Sequence, residues 1–266
     1  MLRKGILIFL LSIIGGCTHP IDIVGEGDIR STSSDNDCLL EDLPCKAETI
    51  NEYEETYFPE PRSGYEFVGW DNCLVMQGDS CVFNISAEIV HDNWGKTMPT
   101  LVAKFAPLCL DAPASSFASI QTVIFNGKGC SGGGCHSGAQ PHAGMNLSTG
   151  NAYANIVNVD AQTGGGLKRI LPGDANNSYL YRKVSAKSNP GSFQISGSPM
   201  PLVGSALSDN QLKALGVWIN AGAPQTGRAT ELREVEQLLG LCESSAPPVP
   251  PPGDTGGGGG GGGYSY

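Results

Sequence analysis

Three residues near the middle of the chain have the types and the spacing that covalent haem attachment requires. Cys130 and Cys135 are separated by four residues, and His136 follows the second cysteine directly. Each thiol can add across one vinyl group of a porphyrin to form a thioether, which brings the adjoining imidazole to the iron as an axial ligand. The alternative is an ordinary Cys130–Cys135 disulfide beside an exposed histidine. The motif predicts one covalently bound haem c.

The spacing between these two cysteines is wider than usual. Haem attachment motifs normally have two residues at this point, and the separation of the two vinyl groups is fixed. The extra residues must therefore bulge outwards. The segment Ser131-Gly132-Gly133-Gly134 suits such a bulge, because glycine adopts positive φ angles at little steric cost.

The second axial position of the iron has three candidates, His142, Met145 and Met200. His142 is too close to His136 in sequence to cross the porphyrin, and we expect it to be exposed in a loop. Met200 lies in a loop rich in Gly, Ser and Pro, ahead of the last predicted helix. Its thioether is a soft, neutral ligand that favours ferrous iron and raises the reduction potential relative to a second imidazole. Packing within the loop is the alternative role for Met200.

Amphipathic helices are predicted on both sides of the haem motif. Phe117, Ile120 and Ile124 lie on one helical face upstream of it. Downstream, a capping box at 208–211 begins a second helix, which Gly222 terminates. Two such helices flanking a haem motif are the arrangement by which small cytochromes bury the macrocycle. Two shorter helices are expected between them, over 152–157 and 178–184.

The stretch from about Phe117 to Pro224 resembles the single-haem cytochrome c domains of exported bacterial proteins, including the planctomycete-type group. The likeness rests on the last helix and on Gly134-Cys135-His136-Ser137-Gly138, Leu171-Pro172-Gly173-Asp174 and Met200-Pro201. Members of that group also have the four-residue cysteine spacing, and their Met-Pro pair occupies the distal-ligand site. The resemblance implies an all-α cytochrome c-like domain over 108–242, with His136 and Met200 as the axial ligands and Met145 in the core.

Four residues are expected around the haem without binding the iron. Pro172 is a candidate for the backbone carbonyl that orients the His136 ring, a contact that metal-bound histidines need. Lys168 and Arg169 are candidates for pairing with a haem propionate, and surface exposure is their alternative. Trp218 is expected to pack beside the haem between the terminal helices.

The cysteine count indicates a disulfide framework. The chain has nine Cys, of which one is expected to carry lipid and two belong to the haem motif. In an exported protein, where disulfides persist, we expect the remaining six to pair. Six cysteines permit 15 pairings, of which local spacing suggests Cys38–Cys45 and Cys73–Cys81. Cys109 and Cys242 then remain at the two ends of the second region, and a bond between them would link those ends.

The N-terminus is predicted to be a lipoprotein signal peptide over residues 1–16. Two positive charges, Arg3 and Lys4, precede an apolar run over 5–14 and the pair Gly15-Gly16. The apolar run is too short for a lasting transmembrane span, so the segment is expected to direct export and to be removed.

The end of this segment, Ile14-Gly15-Gly16-Cys17, resembles the lipobox of bacterial lipoproteins. The resemblance implies cleavage before Cys17 and acylation of that residue, which makes 17–20 a lipidated N-terminus. An ordinary signal peptide with an incidental cysteine is the alternative. Thr18, in place of Asp, favours the outer membrane in a host with two membranes, at the periplasmic face or the cell surface.

Residues 21–107 are predicted to form a small β-rich module. Turn residues at 77–80 predict a hairpin. Three runs alternate in the manner of strands, over 65–70, 81–85 and 101–105. The Gly-Tyr-x-Phe-x-Gly-Trp stretch and the cysteine pair after it resemble, in divergent form, the internalin-type B-repeat of bacterial surface proteins. Two disulfides and Trp70 are expected to supply much of the stability of so small a core.

The charge distribution separates two bodies and argues against one class of function. Acidic residues predominate over 18–106, whereas 107–242 is close to neutral, and the formal net charge is −10. That balance argues against nucleic-acid binding, which needs a basic face. The Pro- and Gly-rich tail over 243–266 is expected to be a disordered spacer. The predicted fold class is multidomain: a small disulfide-linked β-rich module followed by an all-α cytochrome c-like domain.

These observations predict a membrane-anchored one-electron carrier rather than an enzyme. The chain has no second Cys-His motif and no convincing Ser-His-Asp arrangement. Its partners are expected to be redox proteins at or near the membrane to which the lipid anchors it. Two alternatives stay open: an adhesion or scaffolding lipoprotein of the cell surface, and a haem-based sensor or enzyme with an open distal site.

Overall fold

The structure is a computed structural model that describes residues 16–242. The tail over 243–266 and all but the last residue of the predicted signal peptide lie outside the described residues. Within them, eight strands in two sheets come first, and short helices with long loops follow. The strands are β1 Cys17–Val24, β2 Gly27–Ser31, β3 Cys45–Thr49, β4 Tyr53–Pro61, β5 Tyr65–Asp71, β6 Val75–Gln77, β7 Ser80–Ile85 and β8 Leu101–Pro107.

The two sheets share one core. One sheet has the strand order β3-β1-β8-β5 and the other has the order β2-β4-β7-β6. The described pairs are antiparallel except for β1 with β8, which is parallel. In β1 the side chains of Cys17, His19, Ile21 and Ile23 are buried and those between them are not. This two-residue period is that of a strand with one face in the core.

The strands and the hairpin predicted for this module are confirmed. The three alternating runs lie in β5, β7 and β8, and β6 pairs with β7 across a turn at Gly78-Asp79. Trp70 is half-buried and packs against Phe67, with ring centroids 5.3 Å apart. Residues 17–20, predicted to be a lipidated N-terminus, pair with β3 as part of β1.

The connection between β1 and β2 requires glycine. Gly25 has a φ angle of +91°, and a Cβ atom there would lie 2.0 Å from the carbonyl oxygen of Phe105. At Gly27 a Cβ atom would lie 2.5 Å from the Phe105 ring. Only residues without a side chain permit this approach, so the two glycines let the connection pack directly on a buried aromatic residue.

Three disulfides have the pairs that the spacing suggested, Cys38–Cys45, Cys73–Cys81 and Cys109–Cys242. The third links the two ends of the second region, residues 108–242, across a sequence separation of 133. In the chain-entropy model a loop of that length stabilises the fold by about 4–5 kcal/mol, because it restricts the unfolded chain. Disulfides persist in oxidising compartments, so the three bonds indicate an oxidising, exported environment.

Most of the helices follow the sheets. The capping box predicted for the helix Asp209–Asn220 is confirmed. The backbone N–H of Gln211 donates to the Ser208 hydroxyl at 3.2 Å, and the Ser208 N–H donates to the Gln211 side chain at 3.0 Å. The helix Ser116–Ile120 continues as a π-helical stretch over Gln121–Asn126, and His142–Gly144 forms a 3-10 turn. The α-helices are α1 Ala87–Asp92, α2 Ser116–Ile120, α3 Ala152–Ile156, α4 Tyr179–Ser188, α5 Asp209–Asn220 and α6 Glu234–Leu238.

The predicted fold class is wrong. The protein is not a β-rich module followed by an all-α cytochrome c-like domain, because two four-stranded sheets are the main feature of a mixed α/β structure with few, short helices. Even over 108–242, isolated β-bridges join Val157 to Ile170 and Lys168 to Ser178. The physical reason is composition. Gly, Ser, Asn and Pro favour turns, so most of the helices span only five or six residues.

The two regions contact each other around the end of β8. Lys104 pairs with Glu231 at 2.6 Å. Arg233 pairs with Glu66 and donates to the carbonyl oxygen of Pro107. Half-exposed ion pairs of this kind contribute little to stability on their own, so the nearby Cys109–Cys242 disulfide is the stronger constraint on the second region.

Candidate functional site

A cavity of about 580 Å³ lies in the second region. Its volume is in the range of small-molecule and cofactor sites, and most of the side chains around it are apolar, as in such sites. The four residues predicted to hold the haem, Cys130, Cys135, His136 and Met200, all border this cavity. Its walls come from 124–136, 142–147, 161–169, 179–184, 200–203 and Leu215.

The two cysteines of the motif are not paired with each other. Cys130 and Cys135 are half-buried free thiols, so the alternative of a disulfide between them is not realised. The Cys130 thiol lies 3.9 Å from the carbonyl oxygen of Ile124, and burial raises its pKa above the ordinary value. Two free thiols at the wall of an apolar cavity are the groups that thioether formation consumes.

Hydrogen bonds hold the loop between Cys130 and Cys135. The backbone N–H of His136 donates to the carbonyl oxygen of Cys130 at 3.2 Å, which closes the loop at its base. Gly134 has a φ angle of +91°, a conformation that glycine adopts without strain. The Ser131 hydroxyl donates to the Asn126 side chain at 2.8 Å and anchors the loop to the end of the π-helical stretch. These contacts keep Cys130 and His136 close together, and Gly134 borders the cavity.

The imidazole of His136 is oriented by a backbone carbonyl. Its Nδ1 lies 3.1 Å from the carbonyl oxygen of His142. A carbonyl oxygen only accepts hydrogen bonds, so Nδ1 carries the proton and Nε2 keeps its lone pair. Burial also lowers the pKa of His136 and so favours the neutral ring. The prediction that Pro172 supplies this carbonyl is wrong, and His142, expected to be an exposed loop residue, is exposed but supplies it.

Arg169 fixes the turn that orients His136. Its guanidinium is buried and donates to the carbonyl oxygens of Ala143 at 2.8 Å, Asn155 at 2.7 Å and Gly144 at 3.3 Å. Two of these acceptors belong to the turn that follows the His142 carbonyl. Sequence reasoning missed this role, since backbone acceptors leave no mark in a sequence. Arg169 also borders the cavity.

The other basic candidate for a propionate lies elsewhere. The ammonium group of Lys168 pairs with Asp160 at 2.6 Å, and Lys168 does not border the cavity. It therefore has the surface role that was its alternative.

Met200 borders the cavity from a long loop. It is half-buried and packs against the hydrophobic core of the second region. Its backbone N–H donates to the carbonyl oxygen of Lys183 at 2.9 Å. Leu202 and Val203 follow it, border the same cavity and are largely exposed. Met145, expected to lie in the core, borders the cavity as well. The structure thus brings both methionine candidates to the site.

Trp218, expected beside the haem, lies deeper in the core. Trp218 is fully buried between the terminal helices, packs against Phe117 and donates through Nε1 to the Pro224 carbonyl at 2.9 Å. It packs between these helices as predicted, but it does not border the cavity. Of the shorter helices, α4 supplies wall residues, Leu180 and Val184 among them.

The thiol of Cys17 is buried in the core that the two sheets share. Its sulfur lies 3.1 Å from the carbonyl oxygen of Asn93 and 3.3 Å from that of Val90, at the C-terminal end of α1. The lipobox-like segment therefore ends in a side chain that α1 covers. An acylated sulfur does not fit there, so acylation requires Cys17 to leave this position.

The chain is not similar to known proteins in a way that assigns it. No family model matches it, and neither a curated protein nor a solved structure does. Over residues 16–242 there is no cluster of three or more His, Cys, Asp or Glu arranged to hold a metal ion. In that same part of the chain, no helix has the length and apolar character needed to cross a membrane.

Proposed function

We propose that this protein is a c-type haem protein that carries single electrons. The observation that supports this best is the convergence on one apolar cavity of two free thiols, Cys130 and Cys135, with His136 and Met200. The thiols would attach the haem, and the Nε2 of His136 and the sulfur of Met200 would bind the iron. When bound, the haem would supply a one-electron couple between ferric and ferrous iron.

The residues of the chain would tune that couple by position and by polarity. Arg169 and the His142 carbonyl hold the His136 ring in the tautomer that offers Nε2. Ile124, Leu180 and Leu215 border the cavity with apolar surface. A dry, apolar wall disfavours the extra positive charge of ferric iron, so these residues would raise the reduction potential.

Cysteine variants test covalent attachment directly. In a host that matures c-type cytochromes, the wild-type protein should stain for haem on a denaturing gel and give a pyridine haemochrome spectrum of thioether-bound haem. The double variant Cys130→Ala/Cys135→Ala should lose both signals. The matched control Cys73→Ala/Cys81→Ala removes another cysteine pair, far from the cavity in sequence, and should keep them. A wild-type protein that is colourless in such a host would end the proposal.

The ferric spectrum separates an electron carrier from a sensor or enzyme with an open distal site. Met200 is only half-buried and sits in an exposed loop, which is the observation that favours the open site. A low-spin ferric haem that becomes high-spin in Met200→Ala would support the carrier. A high-spin haem that the substitution leaves unchanged would support the open site.

We also propose that Cys17 is acylated and attaches the protein to the outer membrane, near its redox partners. The sequence before it supports this, and the acylated residue would have to leave the space below α1. The pairing of Ile21 to Val24 of β1 with β8 does not involve Cys17. Mass analysis of the N-terminal peptide tests the proposal: a diacylglyceryl group on Cys17 supports it, and an unmodified thiol refutes it.

A further inference from the structure

The loop that contains Met200 is long and exposed. This distal loop (residues 189–207) connects α4 to α5, and it contains no helix or strand. A loop of this length and exposure samples many conformations unless specific bonds restrict it. The position of Met200 therefore depends on the few contacts that hold the distal loop to the rest of the protein.

Lys183 makes three of these contacts from α4. Its ammonium group donates to the carbonyl oxygens of Ser196 at 2.6 Å and Ser198 at 2.7 Å. Its own carbonyl oxygen accepts from the backbone N–H of Met200 at 2.9 Å. Lys183 thus contacts the distal loop at Ser196, Ser198 and Met200, the last of which is the proposed ligand.

Neighbouring contacts complete this attachment on both sides of Met200. The Tyr179 hydroxyl, one turn earlier on α4, donates to the Ser196 carbonyl at 3.1 Å and accepts from the Ser196 N–H at 3.2 Å. On the far side, the Lys128 ammonium group donates to the carbonyl oxygen of Ala206 at 3.1 Å. Contacts from α4 therefore hold the part of the distal loop before Met200. Lys128, which lies two residues before Cys130, holds the part after it.

A simpler role for Lys183 is a free surface charge. It borders the cavity, but its short contacts are to loop carbonyls that have the geometry of charge-assisted hydrogen bonds. Lys187, one turn further along α4, has no hydrogen-bond partner among the contacts of the described residues. The same helix thus offers one lysine that holds the distal loop and one that does not.

We infer that Lys183 is a positioning residue for the distal iron ligand, acting through the distal loop to hold Met200 at the cavity. The inference rests on the proposed function, since it concerns a ligand of that same haem. Loss of the two side-chain bonds should let the loop move and make Met200 a weaker competitor for the iron. An external ligand should then replace Met200 more readily.

Three variants test this in the haem-loaded, full-length protein. Lys183→Met keeps the length of the side chain but removes its donors, Lys183→Arg keeps charged donors, and Lys187→Met is the matched control. Imidazole is titrated against each ferric protein. We expect Lys183→Met to bind imidazole about tenfold more tightly, because charge-assisted hydrogen bonds are lost. We expect Lys183→Arg to recover part of this effect and Lys187→Met to match the wild type. Equal affinities in Lys183→Met and Lys187→Met would overturn the inference.

A second measurement does not need the haem. Backbone hydrogen exchange at 196–200, in protein made without haem attachment, should be about tenfold faster in Lys183→Met than in Lys187→Met. Equal exchange would overturn the role of Lys183 in ordering the loop. A wild-type chain that never acquires haem would instead overturn the proposed function and with it the ligand role, while the exchange rates would still decide whether Lys183 orders the loop.

Discussion

His19 makes the stability of the core that the two sheets share depend on pH. It is 2% exposed and lies among Tyr53, Tyr57 and Phe83, with 4.5 Å between the centroids of the His19 and Phe83 rings. Its Nδ1 is 3.0 Å from the Tyr53 hydroxyl, and its Nε2 has no hydrogen-bond partner. Burial lowers the pKa of His19 from 6.5 to about 4, because a charged ring cannot be hydrated there.

The sign of the effect follows from this lowered pKa. Between the two values the unfolded chain binds a proton that the folded chain does not, so the free energy of unfolding falls as the pH drops from 6.5 towards 4. It is constant above that range as far as His19 is concerned. The shift corresponds to a loss of about 3 kcal/mol, since one pKa unit is worth about 1.4 kcal/mol.

Urea unfolding of the wild type and of His19→Asn measures this loss. The amide that replaces the imidazole does not titrate, and its nitrogen can be placed much like Nδ1. The difference in the free energy of unfolding between the two proteins should change by about 3 kcal/mol between pH 7 and pH 4, in the direction that favours the variant at low pH. Other titrating groups cancel in that difference. Parallel pH profiles for the two proteins would refute the reasoning.

Three further predictions concern stability. Removing the long disulfide with Cys109→Ala/Cys242→Ala should lower the free energy of unfolding by about 4–5 kcal/mol in urea, and a loss below about 1 kcal/mol would show that the ion pairs near β8 suffice. Arg169→Met should lower the free energy of unfolding by about 3 kcal/mol, because it leaves buried carbonyl oxygens without a hydrogen-bond donor. The neighbouring Lys168→Met should lower it by less than about 1 kcal/mol. Equal losses would refute the role given to Arg169. Gly25→Ala should destabilise the β module by several times as much as Gly78→Ala in thermal unfolding. Both positions have positive φ angles, but only Gly25 faces a backbone atom, so equal effects would contradict this account.

Local patterns predicted the elements that local interactions determine. The alternating runs in β5, β7 and β8 and the capping box of α5 were found because each is complete within a few residues. Strand β4 was missed because its buried face includes Glu55, whose carboxylate accepts from the Ser33 hydroxyl at 2.5 Å and the Asn36 amide at 2.8 Å. A buried charge with distant partners breaks the apolar alternation by which a strand is predicted from sequence.

The side chains of the candidate site were predicted from the sequence, but its backbone contacts were not. Cys130, Cys135, His136 and Met200 have side chains whose chemistry can be identified in a sequence, and the structure brings them to one cavity. The carbonyl oxygen that orients His136 comes from the backbone of His142, and every residue has such a group. The error in fold class has a different origin: Gly, Ser, Asn and Pro favour turns, so most of the helices span only five or six residues.

The mass of one tryptic peptide tests the central claim most directly. Trypsin cleaves after Lys128 and Lys168, and residues 129–168, which contain Cys130, Cys135 and His136, have no Lys or Arg before Lys168. In protein from a host that matures c-type cytochromes, we predict this peptide with one added haem that survives denaturation. The same peptide without haem and lighter by two hydrogens would mean a Cys130–Cys135 disulfide and would contradict the account.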